Sequence, residues 1–199
     1  MGTRGACGFI KDGVEKVSYN HFNSYPSGLG AHVIEFVKAT PDEELLAIYE
    51  KIVMVAENTI PTAEQIAECA AYENLQVSSQ SNQDWYCLLR EAQGDLKSYR
   101  GDLRYMIDSK AFLGDSLFCE WAYIINLDTR KLEVYRGFNH NQTAPGRYTG
   151  MDKYESQGGT TYYGVALLNE IGFDEARIIP TDALVEKIKH VADPDENDE

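Results

Sequence analysis

Ala6–Phe22 reads ACGFIKDGVEKVSYNHF, and its reading decides the architecture. Two short strand-like runs flank Lys11-Asp12-Gly13. Asp-Gly is a strong hairpin signal, because the central residues of a tight two-residue turn need positive φ, which these two tolerate. The stretch therefore predicts a β-hairpin. The chain then turns through Tyr25-Pro26-Ser27-Gly28 and enters a helix near Gly30, where Val33, Ile34, Phe36 and Val37 keep the spacing of one buried face. From Phe118 the pattern returns to strands. FCEWAYIINLD and KLEVYRGF, joined at Thr129-Arg130, form a second hairpin with β-branched and aromatic residues in both arms.

Helices fill the space between. Thr40-Pro41-Asp42-Glu43 reads as a capping box, with Thr40 as cap and Glu43 closing it, ahead of an apolar face of Leu45, Leu46, Ile48, Tyr49, Ile52 and Val53. Thr62 with Gln65 opens a third helix carrying Ile66, Cys69 and Ala70. Asp84 opens a fourth carrying Trp85, Leu88, Leu89 and Ala92, with Cys87 off that stripe. Asn139–Gly159 reads as a long loop, TTYYGVALL (Thr160–Leu168) as a strand, and Thr181 as the cap of a last helix through Leu184, Val185 and Ile188. Strands at both ends with helices between give an α+β class. The expectation is a single domain over residues 1–192, with a mainly antiparallel sheet built from the two hairpins and helices packed on it. The closing DPDENDE, residues 193–199, reads as an acidic disordered tail.

Composition narrows the function classes. The formal net charge is −14, from 32 acidic and 18 basic residues. That balance disfavours a binder of nucleic-acid backbones or of anionic membranes. The longest apolar runs, such as IVMVA, fall far short of the ~18 residues a membrane helix needs. Cys7, Cys69, Cys87 and Cys119 form no CxxC pair, so no zinc site is expected, and no signal-peptide pattern stands at the start. The expected setting is reducing and cytoplasmic, with no cofactor and no metal. Thirteen tyrosines suit half-open sites and subunit contacts as well as sheet surfaces; self-association is an open expectation.

Walker-type phosphate loops, dinucleotide fingerprints, HExxH and GxSxG are all absent from the chain. What stands out is Ser18–Gly30, SYNHFNSYPSGLG. Tyr19, His21, Phe22 and Tyr25 offer stacking surfaces, Asn20 and Asn23 offer hydrogen bonds, and Ser27, Gly28 and Gly30 at a helix entrance offer an anion seat. Arg4 adds a guanidinium, suited to a phosphate or to the carboxylate of Glu120. For catalysis, Cys7-Gly8-Phe9 resembles the start of N-terminal-nucleophile amidotransferases, provided the chain were cut after Ala6. His21 is then a candidate base for Cys7. His21 and His32 are candidates for acid–base work, with Glu120 as a partner. His140 reads as a loop residue, and His190 as one meeting a helix C-terminus.

Met1-Gly2-Thr3-Arg4, followed after the hairpin by Tyr19, Phe22, Tyr25-Pro26-Ser27-Gly28 and Gly30, resembles a group of small, largely uncharacterised proteins of bacteriophages and bacteria. The Glu-Trp-Ala-Tyr strand at Glu120–Tyr123 is similar to a later segment of that group. The group carries Arg-Gln-Phe-Asp-Gly where this chain has Asn20-His21-Phe22-Asn23-Ser24, and Cys7 is no part of its pattern. The resemblance implies an accessory phage-type product working in a host cytoplasm. The residues favour a binder of a nucleotide-derived small molecule, and the phage setting suggests sequestration of a host immune signal. A hydrolase or transferase using His21, His32 or Cys7, and an acidic protein-binding inhibitor, are the alternatives.

Overall fold

In the computed structural model, which describes residues 2–151, 154–155 and 158–193, the first hairpin pairs β1 (Gly5–Lys11) with β2 (Val14–Asn20), from Gly5 opposite Asn20 to Lys11 opposite Val14. Asp12 and Gly13 both have positive φ, 50° and 75°, the geometry whose twist matches the strands it joins. The helices α1 (Ala31–Ala39) and α2 (Asp42–Lys51) follow. A peripheral parallel ribbon pairs β3 (Val53–Val55) with β4 (Tyr105–Ile107). Between them lie α3 (Ala63–Cys69), the single turn α4 (Trp85–Leu88) and several 3₁₀ turns. The second hairpin is β5 (Trp121–Asn126) with β6 (Lys131–Arg136). The Asn126 side chain accepts from the amides of Asp128 and Thr129 and so shapes its turn. The short pair β7 (Tyr154–Glu155) and β8 (Thr161–Tyr162) comes next, then β9 (Ala166–Gly172), α5 (Phe173–Ile178) and α6 (Thr181–Ala192).

The main sheet has the order β2-β1-β5-β6-β9. Every neighbouring pair is antiparallel except β1 and β5, which run parallel with Gly5 beside Trp121. The two hairpins thus belong to one α+β sheet. Strand alternation sorts the core. Cys7, Phe9, Trp121, Tyr123, Ile125, Leu132 and Val134 face α1, α2, α5 and α6. Ala6, Ile10, Val17, Ala122, Ile124 and Tyr135 face the other way, against Leu113 from a 3₁₀ turn (Lys110–Gly114) and Tyr148 and Val165 from irregular chain. Helices cover one face and loops the other. Within the loop-covered face lies an acid: Glu133, only 3% exposed, accepts from Asn126 at 2.6 Å, Tyr135 at 2.7 Å and Arg147 at 2.5 Å. Arg147, itself partly exposed, comes from the 139–159 segment, so this pair ties the loop to the sheet.

Several local expectations are corrected. Thr40 does not cap α2: its hydroxyl turns back to the Phe36 carbonyl, and Pro41 takes the cap position without a side-chain hydrogen bond. Thr181 is the first residue of α6 rather than its cap, and its hydroxyl reaches Glu35. The Thr62–Gln65 capping box is present in both directions, and Cys69 is core. The helix opened by Asp84 stops after one turn, and Cys87 is fully buried although it leaves the helical stripe. Strand β9 begins at Ala166, six residues after Thr160, because the chain breaks at Gly164, whose added Cβ would sit 1.9 Å from the Tyr148 carbonyl oxygen. Residues 194–199 of the expected acidic tail lie outside the described residues.

Candidate functional site

The stretch from Asn20 to Gly30 is braced by its own backbone. The Asn20 amide donates to the Phe22 carbonyl at 2.6 Å and to the Ser24 hydroxyl at 2.7 Å. Ser24, fully buried, donates its N–H to the Thr3 carbonyl, and its own carbonyl accepts from the Tyr123 hydroxyl. Asn23 takes positive φ, 54°, and its carbonyl accepts from the Leu29 amide. Pro26–Gly30 form a single wide π-type turn that runs into α1.

The glycines there serve packing. A Cβ on Gly28 would lie 2.2 Å from the Asn23 carbonyl oxygen, and one on Gly30 would lie 2.9 Å from the Tyr123 ring. The amides of Gly28 and Gly30 donate to the Tyr25 carbonyl, and that of Ala31 to Gly28 and Pro26. The anion seat expected at Gly28–Gly30 is therefore corrected: those donors are already spent within the turn.

The aromatic residues do not sink into the core. Phe22 is 58% exposed and Tyr25 48%. The Tyr19 hydroxyl meets His21 Nδ1 at 2.7 Å, and its ring packs edge-on against Phe112. The His21 and Phe22 rings stand edge to face, 4.2 Å between centroids at 82°.

Two clefts open on either side of Phe22. The larger, about 410 Å³, is lined by Asn20, Phe22, Asn23, His32 and the segment Gln93–Lys97 over a floor of Leu29, Val33 and Phe36. The smaller, about 270 Å³, is lined by Asn20, His21 and Phe22 together with Asn74, Val77, Arg90, Glu91 and Gln93. Asn20, Phe22 and Gln93 border both. Tyr19 lines a separate recess of about 40 Å³ with Tyr86. Arg4, Tyr25, Ser27, Gly28 and Gly30 line none of these three hollows.

The far wall was invisible in the sequence. Gly94, at φ 73°, is pressed so close to Asn20 that an added Cβ would lie 2.2 Å from its Oδ1. Arg90 lies over the Phe22 ring at 5.7 Å and the Tyr86 ring at 5.4 Å, and donates to Gln93 Oε1. The guanidinium beside the motif is thus Arg90 as well as Arg4. The paired Gly94-Asp95 and Gly101-Asp102 were the available signal of tight turns in that segment.

The catalytic candidates separate. Cys7 is wholly buried on the helix-covered face opposite Ser18, and burial, with Asp95 adding, pushes its thiol up to about 12. A thiol that resists ionisation and has no path to solvent is not a nucleophile; the Cys7–His21 pairing is corrected. His32 is exposed on the first turn of α1 and borders the larger cleft, while His21 borders the smaller. Glu120 lies just before β5, its amide bound to the Arg4 carbonyl. The Arg4 guanidinium rests over Phe118 at 5.4 Å, and among the described residues it makes no ion pair with Glu120. His140 meets the Thr161 carbonyl, and His190 sits in the last turn of α6. Among the described residues no group of three or more His, Cys, Asp or Glu side chains could hold a metal ion, and no helix is long and apolar enough to cross a membrane.

No family model matches the chain, and no curated protein or solved structure matches it either.

Proposed function

We propose that the protein binds a small, flat, nucleotide-derived molecule, seated in the larger cleft against Phe22. The observation that carries this reading is Phe22 itself: a 58% exposed aromatic ring standing at the border of two clefts. Full burial of a phenylalanine is worth roughly 1.5–3 kcal/mol; Phe22 forgoes about half of that, and a stacked guest recovers part of it. The cleft volume falls within the range of small-molecule sites, and its apolar floor with a few polar groups at the rim is their usual makeup. Asn23, Gln93, His32 and Lys97 supply that rim. In the phage setting that the resemblance implies, a binder that returns its guest unchanged works by sequestration.

The test is a heat-stability screen against nucleosides, mononucleotides, cyclic nucleotides and ADP-ribose derivatives, repeated with Phe22→Ala. Base-on-aromatic stacking is worth ~1–3 kcal/mol, so the variant should bind roughly ten- to a hundredfold more weakly. The guest recovered after heat denaturation should have its original mass. Absence of any stabilisation across the panel refutes the reading, and recovery of a cleaved guest replaces it with an enzyme.

A further inference from the structure

The arginines of this acid-rich chain are mostly engaged. Arg100 pairs with Glu44, Arg104 with Glu68, Arg130 with Asp42 and Asp174, Arg147 with Glu133, and Arg177 with Asp42. Among the described residues, Arg4, Arg90 and Arg136 make no ion pair; Arg136 lies over the Trp121 ring at 4.4 Å, while Arg4 and Arg90 act on the Ser18–Gly30 motif. Both sit where their fields reach one imidazole. His21 is held below the usual histidine range by partial burial first, then by Arg90 and by Arg4. The single acid lining the smaller cleft, Glu91, accepts a hydrogen bond from Asn74 at 2.8 Å. His21 Nδ1 is occupied by the Tyr19 hydroxyl, whose own ionisation is opposed chiefly by burial. A hydroxyl that donates to Nδ1 places the ring proton of a neutral histidine on Nε2.

Arg90, half-buried and without an ion pair among the described residues, borders the same cleft as His21, and a guanidinium so placed is favourable for an arriving anion. We propose that the smaller cleft is a phosphate subsite, where Arg90 and His21 hold the phosphate of a guest whose flat group crosses Phe22 into the larger cleft. This rests on the reading that the larger cleft takes a nucleotide-like molecule, and it fixes which end of that molecule goes where. A dianion beside His21 offsets the two guanidinium charges, so binding draws a proton onto the ring. Affinity for the dianion then rises as the ring gains its proton, while the guest's own second ionisation, at about 6 in a phosphate ester, works the other way, so the His21 ring itself is the readout. The other ionisable groups around the ring are Tyr19, Tyr86, Glu91 and the two arginines.

The experiment follows the His21 ring resonances by NMR across pH, with inorganic phosphate or phenyl phosphate against chloride at constant ionic strength. The expected result is an upward displacement of the His21 titration by about one unit, with His140 and His190 unmoved. Arg90→Gln should abolish the displacement, and Arg90→Lys should retain part of it. A His21 titration indifferent to phosphate, or equally displaced in Arg90→Gln, overturns the subsite. If flat guests still stabilise the protein in that case, the larger-cleft reading survives alone. If phosphate moves His21 but no flat guest binds, the subsite stands and the nucleotide reading falls.

Discussion

Gly94→Ala tests whether the close approach of Gly94 to Asn20 holds the clefts open. Two costs add. An alanine forced to φ 73° is strained by roughly 1–2 kcal/mol. Its Cβ would also meet Asn20 Oδ1 at 2.2 Å and the amide carbon at 2.7 Å, which expels the Asn20 side chain. That side chain gives up its hydrogen bonds to the Phe22 carbonyl and the Ser24 hydroxyl, each worth about 1 kcal/mol. The sum is about 3–4 kcal/mol, which lowers Tm by about 10 °C in a protein of this size. Gly13→Ala is the matched control: Gly13 has φ 75° but nothing within 4 Å of an added Cβ, so only the strain remains. Urea unfolding of both variants isolates the contact as their difference, about 2 kcal/mol. If Gly94→Ala loses no more than Gly13→Ala, Asn20 is not the brace described above. Because Asn20 anchors the Phe22 carbonyl, Gly94→Ala should also weaken any guest found in the screen.

Glu133→Leu leaves the buried Tyr135 hydroxyl and the buried Asn126 side-chain amide without their acceptor, and should cost roughly 2–5 kcal/mol in urea unfolding. Arg147→Met should cost less, about 1 kcal/mol, because its guanidinium is partly exposed; Glu133→Leu within about 1 kcal/mol of the parent would show that Glu133 does not anchor this face. All four cysteines are buried, and burial pushes Cys69 up to about 11 as it does Cys7 up to about 12. A thiol reagent at pH 8 should therefore react with the native protein only slowly, and with all four sites in urea. Rapid labelling at Cys7 would revive the nucleophile.

The hairpins were legible because their signals are local: Asp12-Gly13 and Thr129-Arg130 sit at the turns, and the alternation around them is clear. The order of the sheet was not. Nothing near Gly5 announces that it will lie parallel to Trp121, since that pairing depends on shape and burial far along the chain. Helix α5 escaped notice because its six residues, Phe173–Ile178, are too few to show a period. Glu133 read as an ordinary strand residue, since its partner Arg147 comes from a segment that reads as featureless loop. At the site, the Ser18–Gly30 wall could be picked out by its density of aromatic and amide groups. The facing wall, Arg90–Lys97, carries no motif and is placed only by its fit against Asn20 and Phe22. The glycines were assigned to ligand contact when they serve the approach of Asn23 and Tyr123.

The parallel pairing of β1 with β5 has a consequence for biosynthesis. The hairpin made by the first twenty residues stays a two-stranded ribbon until Trp121–Asn126 leaves the ribosome. At ordinary translation speeds that interval lasts roughly 5–20 s. Both walls of the cleft, 20–23 and 93–97, are made before the central strand that stiffens them. A nascent chain halted short of residue 121 would carry every side chain of the binding site and no sheet to hold them in register.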